Sequence, residues 1–163
     1  MKLILVQVRA GMGDILLAGL PYIHAISKKF NTKLSLLVKE SSRAAELFSE
    51  DKHIDEIITL DKEKDGVRGF FRLSNELRKR NFDKIFIFNS SLRYNLVARF
   101  SGIKSIHQYP LFRSKDNIVR SAKIFTESIT NEAVSTEPSL EIGNIDNNLD
   151  RNFKYICLGV SAS

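Results

Sequence analysis

The sequence contains one cysteine, Cys157, and only three histidines, His24, His53 and His107. A single cysteine excludes an intrachain disulfide and is typical of a reducing compartment, so we expect a cytoplasmic protein. The histidines are far apart in the sequence and lack the spacing of metal ligands. We therefore expect no metal site built from histidine and cysteine.

Long hydrophobic runs are also lacking, and no stretch approaches the length of a transmembrane helix. Six mainly apolar residues follow Met1 and Lys2, in a pattern that is superficially similar to a signal peptide. Gln7 and Arg9 interrupt this run and no cleavage site follows it, so we interpret it as the first β-strand of the fold.

Composition and charge are those of a globular protein that favours anionic ligands. The 163 residues include 25 basic and 19 acidic side chains, which gives a formal net charge of +6, and 43% of the residues are hydrophobic. This length fits one domain with a sizeable core, or half of a two-domain protein. The basic residues are scattered, so we expect nucleotides, phosphates or a membrane surface as partners, and no nucleic acid.

Strand-like and helix-like segments alternate along the chain. Apolar runs predict strands at residues 3–6, 33–38, 54–60, 84–88, 103–109 and 155–160. Helical periodicity and capping residues predict helices at 15–30, 41–46 (with Ser41 as the cap), 66–80, 92–100 and 117–129. The alternation indicates an α/β protein with a mostly parallel sheet.

The helix predicted at residues 66–80 is basic and amphipathic. We predict that its apolar side contains Phe70, Phe71, Leu73 and Leu77. Such a helix either packs on a sheet with its charges in solvent or lies on a membrane surface. The residues alone leave both roles open.

The turn after the first strand is the main candidate for a ligand site. Gly11 and Gly13 permit a tight turn and a close approach of the backbone to a ligand. A helix follows, so its unpaired N–H groups face the carboxyl edge of the sheet. Asp14 is the carboxylate of this turn and Arg9 is a nearby cation. Asp14 can cap the helix, act on a ligand, or do both.

Two common nucleotide-binding motifs are missing from this turn. Leu16 stands where the dinucleotide fingerprint G-x-G-x-x-G requires its third glycine, which counts against an NAD or FAD site. The sequence also lacks the G-x-x-x-x-G-K-[ST] loop of the Walker-type NTPases. A second strand-to-helix turn, at residues 89–93, brings small polar residues and Arg93 to the same edge of the sheet as Asp14.

Four stretches of the chain resemble, in the same order, motifs of the heptosyltransferase-like glycosyltransferases of family 9. Residues 8–18 resemble the N-terminal signature, and residues 53–58 resemble the third strand. Residues 89–93 with 101–103 are similar to the S-L-R … G segment, and residues 158–163 to the opening of the second domain. Gly19 is a departure, since the family more often has threonine before the proline.

The resemblance implies a Rossmann-like sheet with helices on both faces, as the N-terminal half of a GT-B glycosyltransferase. It makes residues 1–150 the acceptor domain, and residues 151–163 the linker and first strand of a donor-binding domain that this sequence does not include. The sequence stops just after a strand, so we expect the native chain to continue. By the same resemblance, we expect the 163 residues alone to be inactive.

The resemblance also implies an activity, the transfer of heptose or a related sugar from a nucleotide-sugar, ADP-heptose, to a lipopolysaccharide inner-core type acceptor. The implied partners are the nucleotide-sugar donor, a lipid-linked saccharide acceptor and the surface of the inner membrane, with no metal or other cofactor. The implied general base is Asp14. The implied acceptor-binding residues are Arg9, Gly13, Ser91 and Arg93, and the implied donor-phosphate residues are Ser161 and Ser163. For both arginines, a structural ion pair is an equally open role.

Two other functions stay open at this point. One is a flavodoxin-like binding module without catalysis. A receiver-type version of it needs acidic residues after the first strand, where this chain has Gln7, Val8 and Arg9, so that version is disfavoured. The other is a GT-B transferase that uses a different nucleotide-sugar, because the domain that selects the donor lies outside this sequence.

Overall fold

In a computed structural model of the chain, the described residues are 1–8, 11, 13, 15–16, 19–61, 66–109 and 117–137. Within them, strands and helices alternate. The strands are β1 (Leu3–Val6), β2 (Leu34–Lys39), β3 (Ile54–Leu60), β4 (Lys84–Ile87) and β5 (Ser105–Gln108). The α-helices that the structure describes from end to end are α1 (Leu20–Phe30), α2 (Ala44–Phe48), α3 (Gly66–Arg80), α4 (Leu92–Phe100) and α5 (Ile118–Thr130), and a 3₁₀ turn spans Glu40–Ser42.

The five strands form one sheet in the order β3-β2-β1-β4-β5, and every neighbouring pair is parallel. Leu5 of β1 lies opposite Leu36 on one side and Phe86 on the other. The chain moves outward from β1 to β3, then crosses back to β4 and moves outward again to β5. This strand order and the parallel pairing confirm the predicted Rossmann-like α/β class.

The central strand β1 is buried on both faces. All four of its side chains are no more than 1% exposed. Successive side chains of a strand point to opposite faces, so Leu3 and Leu5 pack in the core that includes residues of α1 and α5. Ile4 and Val6 pack with residues of α3 and α4. The helices therefore cover both faces of the sheet, as predicted, and this explains why the strand is an unbroken apolar run.

The single helix predicted at residues 15–30 is interrupted at Gly19. Ile15 and Leu16 are helical, and the Ile15 N–H donates to the Gly11 carbonyl oxygen at 3.0 Å. Gly19 then forms a turn, and α1 begins at Leu20. The break has a physical reason, since Pro21 lacks an N–H and fits the first turn of a helix but not its interior.

The helix predicted at 41–46 is also different from the observed one. Ser41 is exposed and does not cap it. Instead, the 3₁₀ turn is followed by Arg43 in the left-handed conformation (φ 52°), and α2 begins at Ala44. The hydroxyl that is buried here is that of Ser42, which donates to the Lys39 carbonyl oxygen at 2.6 Å. The strand predicted at 155–160, which contains Cys157, lies outside the described residues.

Helix α3 has the predicted bounds but a narrower buried side. Leu73 and Leu77 are buried and Phe70 is partly buried, whereas Phe71 is 54% exposed. Consecutive helical residues are about 100° apart, so Phe71 cannot share the row of Phe70, Leu73 and Leu77. Of the helices that the structure describes, none combines the length and the apolar character needed to cross a bilayer.

We expect Gly19→Ala to lower the free energy of unfolding by about 2 kcal/mol, because there is no room for a methyl group. A Cβ atom on Gly19 would lie 2.2 Å from Gln7 Oε1 and 2.6 Å from the Ile15 carbonyl oxygen, and a backbone oxygen cannot move away cheaply. Urea unfolding measures the change. Gly13→Ala is the matched control, since a Cβ there would meet nothing within 4 Å. An equal effect at both glycines would contradict the steric explanation.

Candidate ligand site at the carboxyl edge of the sheet

The candidate site lies where β1 and β4 end side by side. The ladder continues one residue beyond β4 and β5, with the Phe88 N–H donating to the Val6 carbonyl oxygen at 2.9 Å and the Tyr109 N–H donating to the Ile87 carbonyl oxygen at 3.1 Å. The connections that leave β1 and β4 run to opposite sides of the sheet. In open α/β sheets, ligands bind in the crevice at this switch point, outside the carboxyl ends of the strands.

Asn89 is the first polar residue after β4 and is only 4% exposed. Its Oδ1 atom accepts a hydrogen bond from the Ser91 N–H at 2.8 Å, which fixes the turn that follows the strand. Its Nδ2 atom is buried and has no hydrogen-bond partner within the described part of the chain. Buried polar groups are nearly always paired, so a donor of this kind at a ligand edge is a candidate for binding an oxygen atom.

Gln108, at the end of β5, holds this turn in place. Its Nε2 atom donates to the carbonyl oxygens of Asn89 at 3.2 Å and Ser91 at 3.0 Å. Its Oε1 atom accepts from Asn95 Nδ2 at 2.7 Å. One side chain therefore ties the β4–α4 turn to both β5 and α4. The sequence analysis missed Gln108, because nothing in its local pattern indicates a contact with residues 17 and 19 positions earlier.

The predicted residues Ser91 and Arg93 both lie at this edge, and both make structural contacts. Ser91 is the N-cap of α4, with its Oγ atom accepting from the Arg93 N–H at 3.3 Å. The Arg93 side chain donates from Nη2 to the Gly66 carbonyl oxygen at 3.0 Å, at the start of α3. These contacts place the first turns of α3 and α4 next to each other. The predicted roles of the two residues in acceptor binding stay predictions.

The other predicted site residues are only partly described. Gly13 is helical and exposed, with open space beside its Cα atom. Arg9, Asp14, Ser161 and Ser163 lie outside the described residues, so their predicted roles are not tested by the geometry.

An aromatic cluster packs beneath the edge and supports it. Phe88, at the end of β4, has ring centroids 6.2 Å from Tyr22, 5.2 Å from Tyr109 and 5.1 Å from Phe125. The Tyr22 hydroxyl donates to the Val119 carbonyl oxygen at 2.8 Å, which links α1 to α5. Burial, and then the charge of Glu127, raise the pKa of Tyr22, so this hydroxyl keeps its proton. The cluster therefore packs α1, β4 and α5 together beneath the site.

Two of the three histidines meet in space, although the sequence analysis treated all three as separate. The rings of His24 and His53 are 4.4 Å apart. His24 Nε2 lies 2.7 Å from Asp51 Oδ2, and the His53 N–H donates to Asp51 Oδ1 at 2.8 Å. His53 Nδ1 is 2.9 Å from Ser27 Oγ. This cluster joins α1 to the start of β3, at the opposite edge of the sheet from the candidate site.

The histidine cluster has the character of a structural network. Burial raises the pKa of Asp51, but hydrogen bonds from His24 and from the His53 N–H outweigh burial, and the net pKa is lowered. Burial, and then the charge of His24, lower the pKa of His53. In the described ranges, no group of three or more histidine, cysteine, aspartate or glutamate side chains is arranged to hold a metal ion.

A cleft of about 530 Å³ also opens at the amino edge, lined in part by Ser35, Glu56 and Arg80. Three of the charged side chains in and beside this cleft pair with one another. Arg80 Nη1 contacts Glu56 Oε2, and Arg80 Nη2 lies 3.2 Å from Glu76 Oε1. Ser35 Oγ donates to Glu56 Oε1 at 3.2 Å. Because these polar groups already have partners, and because ligands in such sheets bind at the carboxyl edge, we do not assign this cleft as the site.

We expect Gln108→Ala to lower the free energy of unfolding by about 1 kcal/mol, because it removes three hydrogen bonds at a half-buried position. Urea unfolding measures the change. Asn95→Ala is the control, since it removes one of these three bonds together with an exposed bond from Arg99 Nε, and should cost clearly less. If Asn95→Ala costs as much as Gln108→Ala, the β4–α4 turn is not held by the Gln108 contacts to the backbone.

We expect the free energy of unfolding to fall between pH 7.5 and pH 5.5, and to fall less in His53→Asn. The pKa of His53 is lowered in the folded state, so the unfolded chain binds its proton at higher pH, below about 6.5. Stability is therefore lost as the pH falls towards the folded-state pKa. Some dependence should persist, because burial and Lys84 also lower the pKa of His107. Urea unfolding at both pH values tests this, and an unchanged fall in the variant would contradict it.

Comparison with known proteins shows similarity at the level of structure. Neither a protein-family model nor a curated protein sequence matches the chain. The glycosyl transferase family 9 structure from Veillonella parvula DSM 2008 is 16% identical, with a TM-score of 0.65 over 88% of this chain and 45% of that one. E. coli ADP-heptose LPS heptosyltransferase II is 15% identical, with a TM-score of 0.59 over 88% and 47%.

A third similar structure is E. coli heptosyltransferase WaaC with ADP, which is 15% identical, with a TM-score of 0.57 over 78% of this chain and 46% of that one. This chain thus spans less than half the length of each of the three structures. The resemblance to family 9 that the sequence motifs indicated is confirmed at the level of fold. The chain has the Rossmann-like α/β fold found in a segment of family 9 glycosyltransferase and heptosyltransferase structures.

Proposed function

We propose that the chain is the acceptor-binding part of a glycosyltransferase. The observation that carries the proposal is the similarity of its fold to a family 9 glycosyltransferase and to two heptosyltransferases, each with a TM-score above 0.5. The order of the sequence motifs supports the same family independently. The proposed reaction is the transfer of a heptose, or a related sugar, to a lipopolysaccharide inner-core type acceptor.

We propose ADP-heptose as the donor. The structures of E. coli heptosyltransferase WaaC hold ADP in one case and ADP-2-deoxy-2-fluoro heptose in another, and both align with this chain. By the sequence resemblance, Ser161 and Ser163 begin the loop near the donor diphosphate. The proposed chemistry uses no metal and no other cofactor. Offering UDP-hexoses as donors in the same assay distinguishes this proposal from a transferase that uses a different nucleotide-sugar.

The proposed mechanism begins at the carboxyl edge of the sheet. A sugar hydroxyl of the acceptor attacks the anomeric carbon of the donor, and Asp14 accepts its proton as the new C–O bond forms. The bond from the anomeric carbon to the nucleotide diphosphate breaks, and cations and helix-terminal N–H groups stabilise the charge on the leaving group. The buried Nδ2 atom of Asn89 and the N-terminus of α4 supply hydrogen-bond donors for oxygen atoms at this edge.

We expect Asp14→Ala in the native protein to reduce kcat by about 10²–10⁴-fold, because general base catalysis is lost. A transfer assay with ADP-heptose measures this, and circular dichroism checks the fold. Asp55→Ala is the matched control, since Asp55 is an exposed carboxylate of β3 near the amino edge of the sheet. Full turnover by Asp14→Ala would remove Asp14 from the role of base.

A further inference from the structure

A continuous apolar surface is exposed on the paired helices α3 and α4. We call it the α3–α4 patch and define it by five residues. The exposed fractions are 77% for Val67, 54% for Phe71, 58% for Leu92, 45% for Leu96 and 52% for Phe100. An exposed cluster of large apolar side chains marks an interaction site more often than scattered single residues do.

The patch is continuous because its members share one side of each helix. Val67 and Phe71 are four residues apart on α3, and Leu92, Leu96 and Phe100 follow the same spacing on α4. The two stripes then meet, since the ring centroids of Phe71 and Phe100 are 6.3 Å apart.

Phe70 lies between the two stripes and joins them. Its ring centroid is 5.2 Å from that of Phe71 and 5.4 Å from that of Phe100. The Arg78 side chain donates to the Phe100 carbonyl oxygen and links the ends of the helices, as Arg93 links their starts. The two helices therefore present one shared face.

The charge around the patch is strongly positive. Helices α3 and α4 together contain seven basic side chains and one acidic one, Glu76. The basic residues are Arg68, Arg72, Arg78, Lys79, Arg93 and Arg99, together with Arg80, which pairs with Glu56 and Glu76 at the amino edge. Helix α5, on the opposite face of the sheet, also exposes large apolar residues, Ile118 and Ile124, but it lacks this excess of charge. The charge distribution thus separates the α3–α4 patch from ordinary exposed apolar residues.

We propose that the α3–α4 patch docks the protein on an anionic lipid bilayer. Large aromatic and aliphatic side chains enter the boundary between headgroups and acyl chains, and flanking arginines and lysines contact the lipid phosphates. Charge complementarity selects an anionic partner, and the apolar stripe requires one with an accessible hydrocarbon layer. The choice of a bilayer also rests on the proposed function, in which the acceptor is lipid-linked.

The position of the patch fits this partner. Val67 and Leu92 lie in the first turns of α3 and α4, so the patch begins beside the carboxyl edge, where Asn89 and Ser91 lie. A bilayer on this face would therefore bring lipid headgroups next to the candidate acceptor site.

The test is co-sedimentation of the 163-residue chain with vesicles of 30% phosphatidylglycerol in phosphatidylcholine. We expect binding that falls at least tenfold in pure phosphatidylcholine, in 0.5 M NaCl, and in the variant Phe71→Ser/Phe100→Ser. Ile118→Ser/Ile124→Ser is the matched control, with two exposed apolar residues replaced on α5, and it should bind like the unsubstituted chain. Val67→Ser/Leu92→Ser is a second variant of the patch with still more exposed positions, in case the phenylalanine variant fails to fold.

Three results would overturn the proposal. The first is the absence of vesicle binding by the unsubstituted chain, and the second is binding by both patch variants that equals that of the unsubstituted chain. The third is a dimer of the chain that the patch variants dissociate, since the patch would then be an interface between two copies. The vesicles contain neither sugar donor nor acceptor. Vesicle binding can thus fail while Asp14-dependent transfer persists, and transfer can fail while vesicle binding persists.

Discussion

The burial of β1 on both faces is the constraint on which the rest of the structure depends. With Leu5 facing one core and Ile4 the other, the strand has no surface left for solvent, so helices must cover both sides. Parallel neighbours on both edges of β1 require crossovers, and the crossovers run to opposite sides of the sheet. The two central strands therefore end together at one edge of the sheet, where the polar turn with Asn89 and Ser91 follows β4.

This edge combines an aromatic base with a hydrogen-bonded polar turn. Phe88 packs the end of β4 into an aromatic cluster. In the next residue, Asn89, the side-chain Oδ1 atom accepts a hydrogen bond from the Ser91 N–H of the following turn. Gln108 then fixes that turn from β5. The central strands β1 and β4 end in apolar residues, so the described polar groups of the candidate site belong to the turn that follows β4 and to Gln108, the last residue of β5. Their positions are set by long-range contacts, which is why a local sequence motif identifies only part of the site.

The features predicted correctly are those that local periodicity determines. The strand Ile54–Leu60 and the helix Gly66–Arg80 have the predicted bounds, and the parallel α/β class follows from the alternation of elements. The break at Gly19 was missed because helical periodicity was given more weight than Pro21, which fits only the first turn of a helix. The tight fit of Gly19 against Gln7, and the meeting of His24 with His53, were missed because both depend on long-range contacts. Of the predicted site residues, Ser91 and Arg93 lie at the predicted edge because a strand-to-helix turn places them there.

The exposure of Phe71 connects these observations with the proposed membrane contact. A helix that covers one face of a sheet needs a single buried row, and on α3 Leu73 and Leu77 with Phe70 already supply it. Phe71 is therefore not required by the core, and neither is Phe100 on α4. Exposed apolar residues that the core does not need lower the solubility of a protein, and charged neighbours offset part of that loss. On this protein, the surface of exposed apolar and basic residues on α3 and α4 begins beside the carboxyl edge of the sheet. The packing of these two helices therefore places the proposed lipid contact next to the proposed acceptor site.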